Sequence, residues 1–403
     1  MADKGFRVYG YRWVVLAVFM FINITIQILW ISYAPITTPA AKFYGVSDTQ
    51  IGLLAITFMV AYIPFSLPIS WAIDTYGFHK AVSVGAILMA VFGILRGLAG
   101  SYSLILWSTI GLAVAQPFLL NSWTKVPAQW FSIEERATAV GLVTLSSLLG
   151  VAVGEAVPPI LLQGGMSIRT EQLIFGIIGA FSAVLFIILA REKPATPPCP
   201  PGQEVRSLML DGLKHALTIR DFWFFLIVMF VGLAIFNGVS TWVEDIIRPR
   251  GFTPTDAGTL GALMVIGGIL GAVVLPPFSD KQHKRKIYLL FGLLLAIPGL
   301  LGLTYATSFW LLMVSGFWLG FFLISISPIG FQYAAEITQP TPEGTSNGLI
   351  QLFGQASAVF VYIMVAMKTA DGSFTPSLLL GVGLIIISLI LITQMKDPAY
   401  SKS

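Results

Sequence analysis

The sequence predicts an all-α membrane protein whose 12 transmembrane helices form two pseudo-symmetric six-helix halves. Three observations carry that prediction. Of the 403 residues, 56% are hydrophobic and only 10% are charged, with a mean hydropathy of +0.85, whereas soluble domains carry roughly 25% charged residues. The apolar residues recur in runs of about 20, the length that crosses ~30 Å of hydrocarbon. Short motifs also repeat along the chain at a common offset of roughly 200 residues, as a duplicated six-helix half requires.

Apolar runs bounded by charge, Pro or Gly place six spans near 11–35, 50–73, 80–99, 103–124, 137–161 and 171–190. The first follows a short polar start with Lys4, Arg7 and Arg12. It is too long for a signal h-region and lacks a small-residue cleavage site, so it is expected to stay as a permanent helix. Residues 1–190 thus make the first half. Residues 191–220 form a polar connection that opens REKPATPPCPPG and continues VRSLMLDGLKHAL. Its Pro-rich part is expected to be extended. Its second part sets Leu210, Leu213 and Leu217 opposite Arg206, Asp211 and Lys214, which suits either a helix in the cytoplasmic interface or a flexible linker.

The second half, residues 221–403, carries spans near 221–244, 257–278, 286–304, 308–330, 345–367 and 377–394. YGVSDTQIG after the first span is echoed by RGFTPTDAG after the seventh, with Ser47 and Thr253 or Thr255 as candidate N-caps. ERATAVGL (135–142) is echoed by EGTSNGL (343–349). An even number of crossings puts both termini on one side. Six of the 23 Lys and Arg (Lys42, Arg96, Arg169, Arg248, Arg250 and Lys368) fall on the other side, so the termini are expected in the cytoplasm of a multi-pass protein of the plasma or inner membrane.

Enzyme chemistry finds little support. Cys199 is the only cysteine, and His79, His215 and His283 all fall in polar connections, so no apolar run offers an imidazole to a metal or a proton relay. Zinc, P-loop and nucleophile-elbow motifs are absent. No cofactor, metal or nucleic-acid partner is expected, and the bilayer itself is the main partner of what is expected to be a monomer.

The loop after the second span reads SWAIDTYGFHK, with Asp74, Gly77 and Lys80; the one after the eighth reads PPFSDKQHKRK, with Asp280, Lys281, Lys284 and Arg285. Both resemble the loop motif of the major facilitator superfamily, with His283 where the second turn's glycine would stand. An Asp at such a helix end can pair with cations or helix N-termini only while the cytoplasmic face is closed, which makes Asp74, Gly77, Lys80, Lys125, Arg136 and Asp280 candidate gate residues; ordinary topogenic charge is the alternative. FYGV (43–46), VAYIP (60–64), DTYG (74–77), GVAVGEAVPP (150–159) and above all PIGFQYAAEITQPTPEGTSNGL (328–349) are similar to the feline leukaemia virus subgroup C receptor-related transporters, a family associated with choline and haem transport.

In this fold a substrate site lies between the halves near the bilayer middle, and polar residues within a span are costly unless they line it or tie helices together. The first span presents Asn23, Gln27 and Trp30 on one face, and the eleventh presents Asn347, Gln351 and Gln355; the seventh adds Asn237, Ser240 and Thr241. The resemblance implies that Trp30 faces a quaternary ammonium, that Gln355 is a pocket glutamine and that Lys125 matches a basic position. It departs at Asn237, where the family has an aromatic, and at Leu148, where it has a glutamine, so a full aromatic cage is not expected.

Glu155 stands in GVAVGEAVPP where the family has an apolar residue, beside Gly150 and Gly154, a pair that admits a close helix neighbour. A carboxylate there is a candidate for taking a proton or balancing a cationic solute. About 18 residues from the helix start, at ~1.5 Å each, it also suits the solvated outer interface. Lys125 and Arg96, near helix ends, read as anchors or gates, and Glu244 and Asp245 either as a cation-attracting entrance or, as favoured, as a water boundary.

With no nucleotide-binding motif, the expected function is a secondary active or facilitative transporter. It would move a small cationic or neutral amphipathic organic solute by alternating access, with a coupled proton or cation as an open element. An organic-anion or monocarboxylate porter is the alternative, and a non-transporting receptor a remote one.

Overall fold

The computed structural model describes residues 7–198, 210–282, 284–339, 341 and 343–396, apart from the side chains at 133, 134, 137, 210–213, 280, 343–345 and 347. Among the described residues, 12 helical segments are long and apolar enough to cross a membrane, and the chain is a multi-pass, all-helical membrane protein. Cys199, Arg206 and His283 lie outside the described residues, as do the side chains of Leu210, Asp211, Leu213, Asp280 and Asn347.

The chain divides into two compact units. The first comprises the residues up to Tyr33, Ala40–Gly154, and Ile160 onward into the polar connection; the second runs from Leu208 and also takes in Ala34–Pro39 and Glu155–Pro159.

The first unit is built on α1 (Arg12–Ile31), α2 (Thr37–Tyr44), α3 (Asp48–Tyr76), α4 (Phe78–Leu98), α5 (Tyr102–Leu120), α6 (Lys125–Trp130), α7 (Ile133–Gln163) and α8 (Ile168–Leu189). The first span was expected to end near residue 35. Instead α1 stops at Ile31, a 3-10 turn covers Ala34–Ile36, and α2 continues to Tyr44, because Pro35 has no N–H to extend α1's ladder. The Ser47 hydroxyl accepts from the Gln50 N–H, and the Gln50 side chain accepts from the Ser47 N–H, a reciprocal cap that starts α3. Helix α4 packs most extensively on α8. There Gly93 and Gly176 let the backbones meet so closely that a β-carbon on Gly176 would overlap the Gly93 carbonyl.

The second unit contains α9 (Leu210–Thr218), α10 (Arg220–Thr241), α11 (Val243–Ile247), α12 (Pro254–Gln282), α13 (Arg285–Tyr305), α14 (Phe309–Ile337), α15 (Glu343–Ala356), α16 (Ala358–Ala366) and α17 (Thr375–Gln394). At the head of α12 the Thr253 hydroxyl accepts from the Asp256 N–H at 3.2 Å, and the Asp256 carboxylate accepts from the Thr253 N–H at 2.8 Å. Of the two threonines proposed as caps, the box falls on Thr253. Helix α14 runs seven residues past the expected end at 330 because Pro328 is accommodated inside it. The eleventh span, expected as one helix, breaks at Ser357 into α15 and α16.

Candidate functional site

In the first unit the polar stripe of α1 turns into the unit's own interior. Asn23 is fully buried; its amide nitrogen donates to the Phe19 carbonyl at 2.8 Å and its oxygen accepts from the Trp123 indole at 2.7 Å. The Gln27 oxygen accepts from Gln116 at 3.3 Å, while the Gln116 oxygen is buried without a partner. The Trp30 indole donates to the Ala55 carbonyl of α3 at 3.2 Å. Gly150 and Gly154 of α7 admit α1 closely: a methyl on Gly150 would stand 2.9 Å from the Gln27 Cβ. These bonds tie α1 to α3, to α5 and to the turn after α5.

In the second unit the Asn237 amide donates to the Ser357 hydroxyl at 3.0 Å, which joins α10 to the break between α15 and α16. Ser240 and Thr241 follow on α10, fully buried, each with an unpartnered hydroxyl oxygen. Gln351 and Gln355, four residues apart on one face of α15, are half-buried and make no hydrogen bond among the described residues.

Glu155 was weighed as an interfacial residue, but it is fully buried, and neither carboxylate oxygen has a partner. It packs on α12 where glycines leave room: a methyl on Gly261 would stand 2.7 Å from the carboxyl carbon.

Around the loop after α3, Asp74 pairs with Lys125 at 2.6 Å within the first unit, both partners being about a third to a quarter exposed. Gly77 has φ 91, a conformation that favours glycine. Reasoning from sequence missed its neighbour. The Glu192 carboxylate accepts from the N–H groups of Phe78 and His79 at 3.1 and 2.7 Å and lies where a Gly77 β-carbon would be. It satisfies the orphan donors at the head of α4 and complements the helix dipole. The acidic residue in REK just past α8 is the signal that could have found it. Lys80 is exposed, and the Arg136 guanidinium donates to the Phe131 carbonyl at 3.2 Å. In the second unit Arg285 of the echoing motif pairs with Glu336 at 3.1 Å.

Two expectations at helix ends are corrected. Glu244 and Asp245 are buried rather than placed at a water boundary, 1% and 0% exposed. They are matched there: Asp245 pairs with Arg248 at 2.8 Å and with Lys368 at 3.1 Å, and Glu244 accepts from the Thr38 N–H at 2.8 Å. Burial pushes the Glu244 carboxyl up to about 7; the Thr38 hydrogen bonds and the Arg248 charge pull the other way. Arg96, read as an anchor or gate, is wholly inside the first unit, donating to the Leu29 carbonyl and lying 4.5 Å over the Tyr33 ring. No group of three or more His, Cys, Asp or Glu side chains able to hold a metal lies among the described residues.

Twelve spans, polar stripes within them and charge-paired helix ends define a polytopic transporter rather than an enzyme. The chain belongs to the major facilitator superfamily, whose family model matches residues 13–360 and 244–403. It is 28% identical over 406 residues to the choline/ethanolamine transporter flvcr2a of Danio rerio, covering 95% of this chain and 86% of the relative. To solute carrier family 49 member A3 of Xenopus tropicalis it is 29% identical, covering 90% and 79%, and to the choline/ethanolamine transporter FLVCR1 of Felis catus 27%, covering 90% and 68%. These relatives match the receptor-related family that the motifs resemble. Among solved structures, a bacterial homolog to the human lysosomal transporter Spinster, inward-facing and unoccupied, superposes with a TM-score of 0.75 at 16% identity, covering 98% of this chain and all of that one. The human organic anion transporter MFSD10 gives 0.68 at 14%, covering 95% and 100%. Both share the fold.

Proposed function

We propose that the protein moves a small cationic or neutral amphipathic organic solute, an amino alcohol of the choline and ethanolamine class, across the membrane by alternating access. One observation carries the reading: Gln351 and Gln355 offer two free amides on one face of α15, the helix that ends just before Ser357, which bonds Asn237. Amide oxygens accept from a hydroxyl or an ammonium, and amide nitrogens donate to a hydroxyl oxygen, so the pair suits a neutral or cationic head better than a carboxylate. The relatives' names favour the same class. Arg96, the candidate for an organic-anion porter, gives one nitrogen to the Leu29 carbonyl and lies over the Tyr33 ring, while its Nε and Nη2 have no hydrogen-bond partner among the described residues. The bias of Lys and Arg toward one set of loops favours cytoplasmic termini.

A thermal-shift screen of the detergent-purified protein against choline, ethanolamine, haem and monocarboxylates tests the reading. An amino alcohol should raise the melting temperature. The response should weaken in Gln351→Ala and Gln355→Ala, whose own melting temperatures stay near wild type because neither amide holds the fold together. Stabilisation by a monocarboxylate alone, or an amine response untouched by both variants, overturns the assignment.

A further inference from the structure

We propose that Glu155 is a proton-binding site, loaded in the arrangement seen here and unloaded when the Glu155–Pro159 segment leaves α12 during transport. The inference rests on the transport reading above and adds the coupled ion.

The site is built so that a proton is the only ligand it can take. Glu155 is fully buried, and both of its carboxylate oxygens lack a partner. Gly261 and Gly258 form its cradle on α12. A methyl on Gly261 would lie 2.7 Å from both Cδ and Oε2 of Glu155, and one on Gly258 would lie 2.6 Å from the Pro159 ring. The carboxyl therefore fills the gap that the glycines leave, with no room for a hydrated cation or a solute head. Nor does a charge answer it. Toward α12 it meets glycine, and the preceding residue, Gly154, meets Ile28 and Ile31 of α1. Asp256, in the first turn of α12, gives its carboxylate to Thr253.

Burying an ionised carboxylate with neither cation nor hydrogen bond costs several kcal/mol even after relaxation. A neutral carboxyl group forfeits only its hydrogen bonds. The packed arrangement therefore selects the protonated form. The backbone here is also loosely held. Pro158 and Pro159 have no N–H to close on the carbonyls of Gly154 and Glu155, so two helical bonds of α7 are missing at this level. Once the segment leaves α12 and the carboxyl meets water, it passes its proton to water; repacking requires one proton to be taken up again. A step that swings Glu155 between these environments is thereby tied to one proton per cycle, as a state-dependent ligand ties any two-state equilibrium.

Infrared spectroscopy of the purified protein reads the proton without any solute. Wild type at neutral pH should show a component of the protonated-carboxyl stretch that Glu155→Gln removes and that Glu171→Gln and Glu244→Gln, which alter other buried acids, both retain. Wild-type and Glu155→Gln spectra that superpose in this region overturn the proposal. Should Glu155→Gln fail to fold, Gly261→Ala is measured instead: its methyl crowds the carboxyl, and an unshifted band is equally fatal. In proteoliposomes, Glu155→Gln should exchange choline or ethanolamine down its gradient yet lose accumulation driven by a pH gradient. Wild-type accumulation that ignores the pH gradient refutes the coupling. Failure of wild type to move either solute refutes the solute reading instead, while the infrared band still decides the proton.

Discussion

Replacing Glu244 by Gln should remove a pH dependence of stability whose size follows from the structure. The Glu244 carboxyl is 1% exposed and titrates at about 7 rather than at its ordinary 4.5, mainly because burial penalises its charged form. At 1.36 kcal/mol per tenfold change in proton affinity, that difference is worth about 3 kcal/mol. The folded chain binds this proton more tightly than the unfolded chain. The stabilisation is therefore full below pH 4.5 and is lost as pH rises to about 7. Glu244→Gln keeps an acceptor for the Thr38 N–H and holds the neutral form at every pH. Apparent melting temperatures in detergent, followed by tryptophan fluorescence, should show the wild type losing several degrees relative to the variant between mildly acidic and mildly alkaline buffer. Parallel curves, or a wild type that gains on the variant as pH rises, would refute the account of Glu244 as a buried, weakly compensated acid.

Gly77→Ala should destabilise the first unit by more than the ~1–2 kcal/mol of a left-handed backbone, because the added methyl also evicts Glu192 from the head of α4. Glu192→Ala should abolish the steric part, so the double variant melts higher than the sum of the single losses implies. Asp74→Asn should lower uptake in proteoliposomes while changing stability by only ~0.2–1 kcal/mol, since its pair with Lys125 is partly exposed. Wild-type uptake in that variant removes Asp74 from the gate.

The periodic features were legible in the sequence. Run length gave the 12 spans, and local capping chemistry gave Ser47 at the head of α3 and narrowed the head of α12 to Thr253 or Thr255. What escaped was set by partners far away in the chain. Glu244 and Asp245 look like the polar end of a span until Thr38 and Lys368, 206 and 123 residues away, arrive to receive them. The stripe Asn23, Gln27, Trp30 was visible as a face, but periodicity does not say what a face meets, and here it meets Trp123, Gln116 and Ala55. Glu155 was visible as a misplaced charge. Only the glycines opposite show that nothing else shares its space.

The polar connection after α8 begins as part of the first unit. The Trp130 indole donates to the Arg191 carbonyl, Glu192 caps α4, Thr196 bonds Tyr9, and the Arg7 N–H donates to the Pro197 carbonyl. Anyone dividing the gene to express the two halves separately should cut beyond Pro198. A cut at the end of the last apolar run would hand Glu192 to the wrong fragment, and the first half would then leave the ribosome with the amides that open α4 uncapped.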